Sequence, residues 1–434
     1  MSAVTNGYKD HAGSALDADL KFDPTPIHKT TPFFNRQSGL KSRSNDSQLR
    51  EGFMRETSRL CDLSTLVTSA VLVFWAGTAA AADVPKFEVD PFWPKPLPHN
   101  WALGQVGGVA VDERDHVWII HRPDSLTPNE KNAATNPPIA KCCVPAPPII
   151  EFDPDGNVVQ AWGGPGTTFQ MPQRPHGIRV SGNFVWFGGN HRDDGFIVKA
   201  TRDGKFVMQI GKHGPRKGDQ DTSQLGMPAD IWVDAAASEV YVADGYGNHR
   251  VIVFDSNTGA YKRHWGAYGK RPADEVVLAS AEGEGSAKYD PKAPPSPTFN
   301  NPVHCVKISN DGLVYVCDRR NDRVQVFRKD GTFVREWSYL KETLGSGSVW
   351  DLYLWPDREQ SFFVNVDGAN NEFRVVRRED GEVVGTYGRF GHYAGQFHGV
   401  HNVAIDSRGN LFTTEVYEGK RVQKWKVTSG APVR

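Results

Sequence analysis

Three histidines stand at matched points of a recurring phrase. His176 opens His-Gly-Ile-Arg-Val, His304 opens His-Cys-Val-Lys-Ile and His401 opens His-Asn-Val-Ala-Ile-Asp. The other copies open on Gly107 (Gly-Gly-Val-Ala-Val-Asp), Ala229 (Ala-Asp-Ile-Trp-Val-Asp) and Trp350 (Trp-Asp-Leu-Tyr-Leu), so histidine occurs in alternate copies. Three neutral imidazoles brought to one point, with nitrogens about 2.0–2.1 Å from a shared ion and a fourth position open to water or substrate, make a catalytic zinc site. Taken singly, each histidine is equally an interior residue satisfied by hydrogen bonds. Their common register is what argues for a metal. His398 lies three residues before His401, but spacing in a loop does not bring it into the same ligand sphere.

The register matters because of the elements that carry it. In several copies the phrase passes through a turn, such as Asp311-Gly312 or Arg408-Gly409-Asn410, into a second β-rich run. It continues to Asn-x-Arg-Val and a third run, as in Asn248-His249-Arg250-Val251 and Asn321-Asp322-Arg323-Val324. Successive strands without a helical period between them build antiparallel sheets. A composition of 43 Gly, 29 Pro and 12 Trp agrees with short strands and tight turns, so the fold class is all-β. Six phrases predict six blades of a β-propeller with each phrase as the innermost strand. Equivalent positions then share one level of the central channel, and blades two, four and six lie a third of a turn apart. The pairs Trp162-Gly163 and Trp265-Gly266 fall near blade ends, where a packing role is expected.

Residues 1–53 are polar and lack apolar periodicity, as in a segment unable to bury a core. From Met54 the order changes: Arg55 and Arg59, an apolar run from Leu63 to Gly77, then small residues up to Ala82 before Asp83. This is the layout of a secretory signal peptide over 54–82, with an uncleaved membrane anchor or a buried helix as the alternatives, and it predicts that 1–53 is disordered or a mis-assigned gene start and 83–434 the propeller. The protein is then exported, periplasmic or extracellular, with no membrane span after cleavage, and a monomer. Removing Cys61 leaves four cysteines. Cys305 and Cys317 lie symmetrically about Asn310-Asp311-Gly312 and face each other across a hairpin, positioned for a disulfide. Cys142 and Cys143 are adjacent, leaving a vicinal bridge, separate partners or free thiols open. A formal net charge of -1 supplies no basic field for nucleic acid or anionic lipid.

Tyr241-Val-Ala-Asp-Gly-Tyr-Gly-Asn-His-Arg-Val-Ile-Val-Phe254 and Tyr315-Val-Cys-Asp-Arg-Arg-Asn-Asp-Arg-Val-Gln-Val-Phe327 resemble NHL repeats. Within that class the chain resembles the peptidyl-α-hydroxyglycine α-amidating lyases (peptidylamidoglycolate lyases). The resemblance runs from Leu103–Val111 and His121-Arg122 through Pro175-His176-Gly177 and Asp244–Arg250 to His304, Asp318-Arg319 and Val400-His401-Asn402. It implies a six-bladed propeller in which His176, His304 and His401 hold zinc, Tyr246 is the catalytic tyrosine and Arg122 and Arg319 are active-site arginines. The implied reaction cleaves an α-hydroxyglycine peptide, or another small carbinolamide, to an amide and glyoxylate. The resemblance also implies calcium, bound by the main-chain carbonyls of Val109 and Ile178 and by an acid where this chain has Asn402. An amide brings no charge to such a site. Gly247 replaces a cysteine of the family pattern, and the insertion around Asn129 to Pro148 has no counterpart in it.

The chemistry is self-consistent. Zinc polarises a hydroxyl oxygen, arginine holds a carboxylate in bidentate fashion, and a tyrosine base with a reference pKa near 10 requires positive charge beside it. Arg122 and Arg319 are alternatively ion pairs with Asp124 and Asp318, and Tyr246 a packed loop aromatic. Two other functions compete: a calcium-dependent hydrolase or lactonase using Asp230, Asp351 and Asn402, and a non-catalytic NHL binding module.

Overall fold

Among the described residues, six four-stranded sheets follow one another along the chain. This computed structural model describes residues 83–272, 292 and 294–430. The expected signal segment 54–82 and the polar residues 1–53 lie outside that range. The innermost strands are Gln105–Val111, Pro175–Ser181, Asp230–Asp234, Val303–Ile308, Asp351–Leu354 and Val400–Ile405. Each packs beside the next, and the sixth beside the first, so the sheets close into a six-bladed propeller. Within each blade the strands are antiparallel and run outward in chain order, as in Asp230–Asp234, Glu239–Asp244, Arg250–Asp255 and Tyr261–Trp265.

The sixth blade is the exception. Its outermost strand is Lys86–Asp90, from the start of the described chain, paired antiparallel with Val422–Ser429. No copy of the phrase marks this strand. Pairing the two ends closes the ring and covers an edge that would otherwise expose unpaired backbone groups.

Every blade is buried on both faces, and the alternation of side chains distributes them between two neighbours. Val240 and Val242 pack toward the second blade with Trp186 and Ile197, whereas Tyr241 and Ala243 pack toward the fourth with Val303, Val314 and Val316. The arginine of the Asn-x-Arg-Val phrase returns to the aspartate ending the preceding strand: Arg250 Nε lies 2.9 Å from Asp244, and Arg323 Nε 2.7 Å from Asp318. The outer tryptophans have the packing role expected of them. Gly204 has φ +82°, and a Cβ there would lie 2.8 Å from the Trp162 ring, so the indole of one blade seats on a turn glycine of the next.

Cys305 and Cys317 are direct cross-strand partners and form a disulfide. Cys142 and Cys143 form the vicinal bridge, in an insertion that joins the second and third strands of blade 1. No helix among the described residues is long and apolar enough to cross a membrane.

Candidate active site

His176, His304 and His401 converge at the channel axis. Their ring centroids are 4.7 to 5.0 Å apart, and one ligand nitrogen from each lies within 4.8 Å of the others. The blades that lack histidine supply what orients the rings. His176 Nδ1 donates to the carbonyl of Ala229 at 2.7 Å, His401 Nδ1 to that of Gly107 at 3.0 Å, and His304 Nδ1 to that of Trp350. The six phrase openings thus divide into three imidazoles and three carbonyls that hold them. A carbonyl can only accept, so Nδ1 carries the proton and Nε2 presents its lone pair.

All three rings are buried, and burial is the main cause that holds each well below the usual histidine range. For His176 the neighbouring imidazoles add to it, for His304 the Arg319 charge, and for His401 the charges of Arg122 and Arg319. The rings are therefore neutral at physiological pH. The Tyr246 hydroxyl lies 3.0 Å from Nε2 of both His176 and His304. One phenolic proton satisfies one of these acceptors and leaves the other facing the same point as His401. Converging neutral lone pairs without protons to share fit a cation, and a tris-imidazole set suits zinc.

Above the histidines is a cavity of about 270 Å³, lined by Gln105, Arg122, Arg174, Asn190, Tyr246, Arg319, Trp350, His401, Val416 and Tyr417. Neither arginine singled out from the sequence makes the alternative ion pair. Arg122 donates to the Pro175 carbonyl at 2.9 Å and to Gln105 Oε1 at 2.8 Å, and Arg319 to the Ser346 carbonyl at 2.9 Å and the Tyr246 hydroxyl at 3.3 Å. Asp318 is occupied by Arg323 instead. Arg319 also lies over the Trp350 ring, its guanidinium carbon 4.4 Å from the centroid. Burial and the Arg174 charge hold the Arg122 guanidinium below the usual arginine range. Two buried guanidiniums turned to a cavity without a carboxylate partner suit an anionic ligand.

Further along the inner strands lie charged and polar side chains. Lys307 Nζ contacts Asp230, and Asp351 at 3.1 Å. Asn402 Nδ2 donates to Asp351 at 3.0 Å, while its Oδ1 faces His401 Nδ1. Arg179 lies 3.6 Å over the Trp232 ring and donates to the Tyr353 hydroxyl. The carboxylates that a lactonase-type site would use are thus engaged with a lysine. Val109 and Ile178 lie in the inner strands of blades 1 and 2, paired with Ile119 and Phe187. His121 is away from the histidine cluster, bonded to the Gly104 amide and the Pro147 carbonyl, and burial pushes it down to about 4. His398 does not join the cluster.

Sequence reasoning missed Gln105, Arg174, Asn190 and Tyr417 in the cavity wall, and Lys307 outside it. Gln105 and Arg174 each lie two residues before a phrase opening, and Lys307 three after one, so the register that located the histidines also marks these positions.

Residues 299–327 match the NHL repeat. The propeller resembles peptidyl-glycine alpha-amidating monooxygenase B of Xenopus laevis, 27% identical over 260 residues, which are 57% of this chain and 25% of that protein. A probable peptidyl-alpha-hydroxyglycine alpha-amidating lyase of Caenorhabditis elegans is 27% identical over 52% of this chain and 56% of its own length. NHL repeat-containing protein 3 of Mus musculus is 27% identical over 67% of this chain and 70% of its own. The chain therefore spans only a quarter of the Xenopus protein and just over half of the nematode one. A solved streptogramin B lyase structure superposes with a TM-score of 0.46 and 12% identity, over 79% of this chain and 98% of that one. The chain is thus a six-bladed propeller that carries an NHL repeat at 299–327 and is similar in sequence to the amidating lyases.

Proposed function

We propose that this protein is a zinc-dependent lyase that cleaves the C–N bond of a peptidyl-α-hydroxyglycine, or of another small carbinolamide bearing a carboxylate. The observation that carries this reading is a cluster of three neutral imidazoles in contact with the Tyr246 hydroxyl, beside a cavity lined by His401, Tyr246 and the guanidiniums of Arg122 and Arg319. His176, His304 and His401 would hold the metal through Nε2, and when bound it would polarise the substrate hydroxyl as a Lewis acid. Arg122 and Arg319 bind the substrate carboxylate. Tyr246 takes the hydroxyl proton; the C–O bond becomes a carbonyl as the C–N bond breaks, and the nitrogen leaves with a proton as the amide. Glyoxylate is the second product. Arg319 donates to the phenol oxygen at 3.3 Å, so a guanidinium stands beside the group that takes the proton.

The similarity to NHL repeat-containing protein 3 favours a second reading, a binding module without catalysis. Glyoxylate assay with α-hydroxyhippurate separates the two. Release dependent on the loaded metal is expected, and a zinc-loaded, folded protein that releases none would leave the binding module as the better reading.

A further inference from the structure

The channel contains a fixed cation of its own. We propose that the Lys307 ammonium is the structural cation of this propeller, standing in place of the calcium that the resemblance to amidating lyases implies. Lys307 is 5% exposed, and a buried ammonium persists only when paired and hydrogen-bonded. Its partners come from other blades: Asp230 from the third and Asp351 from the fifth, with Lys307 itself in the fourth. Asp230 also accepts from the Val306 amide at 3.0 Å, while Asp351 accepts from the Val403 amide at 3.0 Å and from Asn402 Nδ2. One charge thus ties the inner strands of blades 3 to 6, which is the work of a structural ion at the axis.

The calcium set does not fit the same residues. Calcium requires about six to eight oxygen ligands. The Asn402 oxygen faces His401 Nδ1 and its amide nitrogen faces Asp351. Reversing the amide would set oxygen against carboxylate and donor against donor. The oxygens of Asp230 and Asp351 hold the ammonium, and a divalent cation beside it would be repelled. The Asn402 amide and the Lys307–Asp351 pair also fit each other. An aspartate at 402 would put another carboxylate against Asp351, whereas the amide supplies a donor and passes the Lys307–Asp351 contact on to His401.

Calcium binding to the zinc-loaded protein tests this without reading catalysis, so the result is independent of the lyase reading. After dialysis against millimolar calcium and removal of free ion, elemental analysis should find no stoichiometric calcium, and the melting temperature should be unchanged. One calcium per chain with a raised melting temperature would overturn the proposal. Lys307→Ala frees both carboxylates, so its melting temperature should fall and then rise with added calcium. A folded Lys307→Ala that melts with the wild type and ignores calcium would also overturn it. If the variant does not fold, the wild-type calcium measurement decides alone.

Discussion

The imidazole of His176 is fixed by the carbonyl of Ala229, 2.7 Å away and from the neighbouring blade. The same relation joins His401 to Gly107 and His304 to Trp350, so the ring tautomers follow from propeller closure. Each histidine needs its own blade for position and the next blade for orientation. A change in blade packing should therefore reach the cluster without touching a histidine.

Convergence of three Nε2 lone pairs predicts one zinc per chain, measured by elemental analysis of purified protein. His176→Ala, His304→Ala and His401→Ala should each reduce it, because two imidazoles with no third ligand hold the ion far more weakly. Equal zinc in the wild type and the triple variant would remove the metal site.

Glu239 sets an acid limb. The hydrogen bond from Arg263 is the main cause that holds its carboxyl down to about 2, from an ordinary value of 4.5. A depressed carboxyl contributes stability above its unfolded-state value and loses it as pH falls through the folded-state value. Glu239→Gln should therefore be less stable than wild type at neutral pH, with the difference shrinking between about pH 4.5 and 2. Denaturant midpoints of both proteins across that range give the measurement. A pH-independent difference would mean that packing, not charge, sets the contribution.

The Cys305–Cys317 bridge closes a short hairpin, and both cysteines are fully buried. Replacing both residues with serine should lower stability by about 3 kcal/mol through loop closure in the unfolded chain. Burial of two hydroxyls adds to that cost. Thermal melts under non-reducing conditions check it, and an unchanged melting temperature would count against a formed bridge.

The parts of this architecture legible in the sequence are those that repeat. The openings at His176, His304 and His401 carry the blade register, and Cys305 and Cys317 mirror each other about a turn, so short-range pattern suffices for both. The closing strand Lys86–Asp90 has no such marker, because its partner Val422–Ser429 lies at the other end of the chain. The carbonyls of Gly107, Ala229 and Trp350 are equally silent, since backbone acceptors leave no trace in residue identity. Lys307 meets Asp230 and Asp351 only through packing between blades, and both partners are distant from it along the chain. The cavity wall shows an intermediate case: Arg174 is in register with Gln105, but only the propeller turns both toward Arg122.

Tyr246→Phe separates catalysis from packing. Phenylalanine keeps the ring, which lies 5.0 Å from His176 and 5.5 Å from His304, and deletes the oxygen between their Nε2 atoms. The three histidines keep their Nδ1 bonds to backbone carbonyls, so zinc content should be unchanged. If the tyrosine oxygen carries the proton from the substrate hydroxyl to the leaving nitrogen, its loss should lower kcat by about 10²- to 10⁴-fold. KM should change little if Arg122 and Arg319 bind the carboxylate, because the variant retains both. Arg319→Met should lower kcat as well, by removing the charge beside the phenol, but unlike Tyr246→Phe it should also raise KM by removing a carboxylate contact. Glyoxylate release at matched zinc content and matched folded fraction reads both variants. A Tyr246→Phe protein as fast as wild type would leave the hydroxyl as a hydrogen-bonding partner of two histidines and assign the proton transfer to another group.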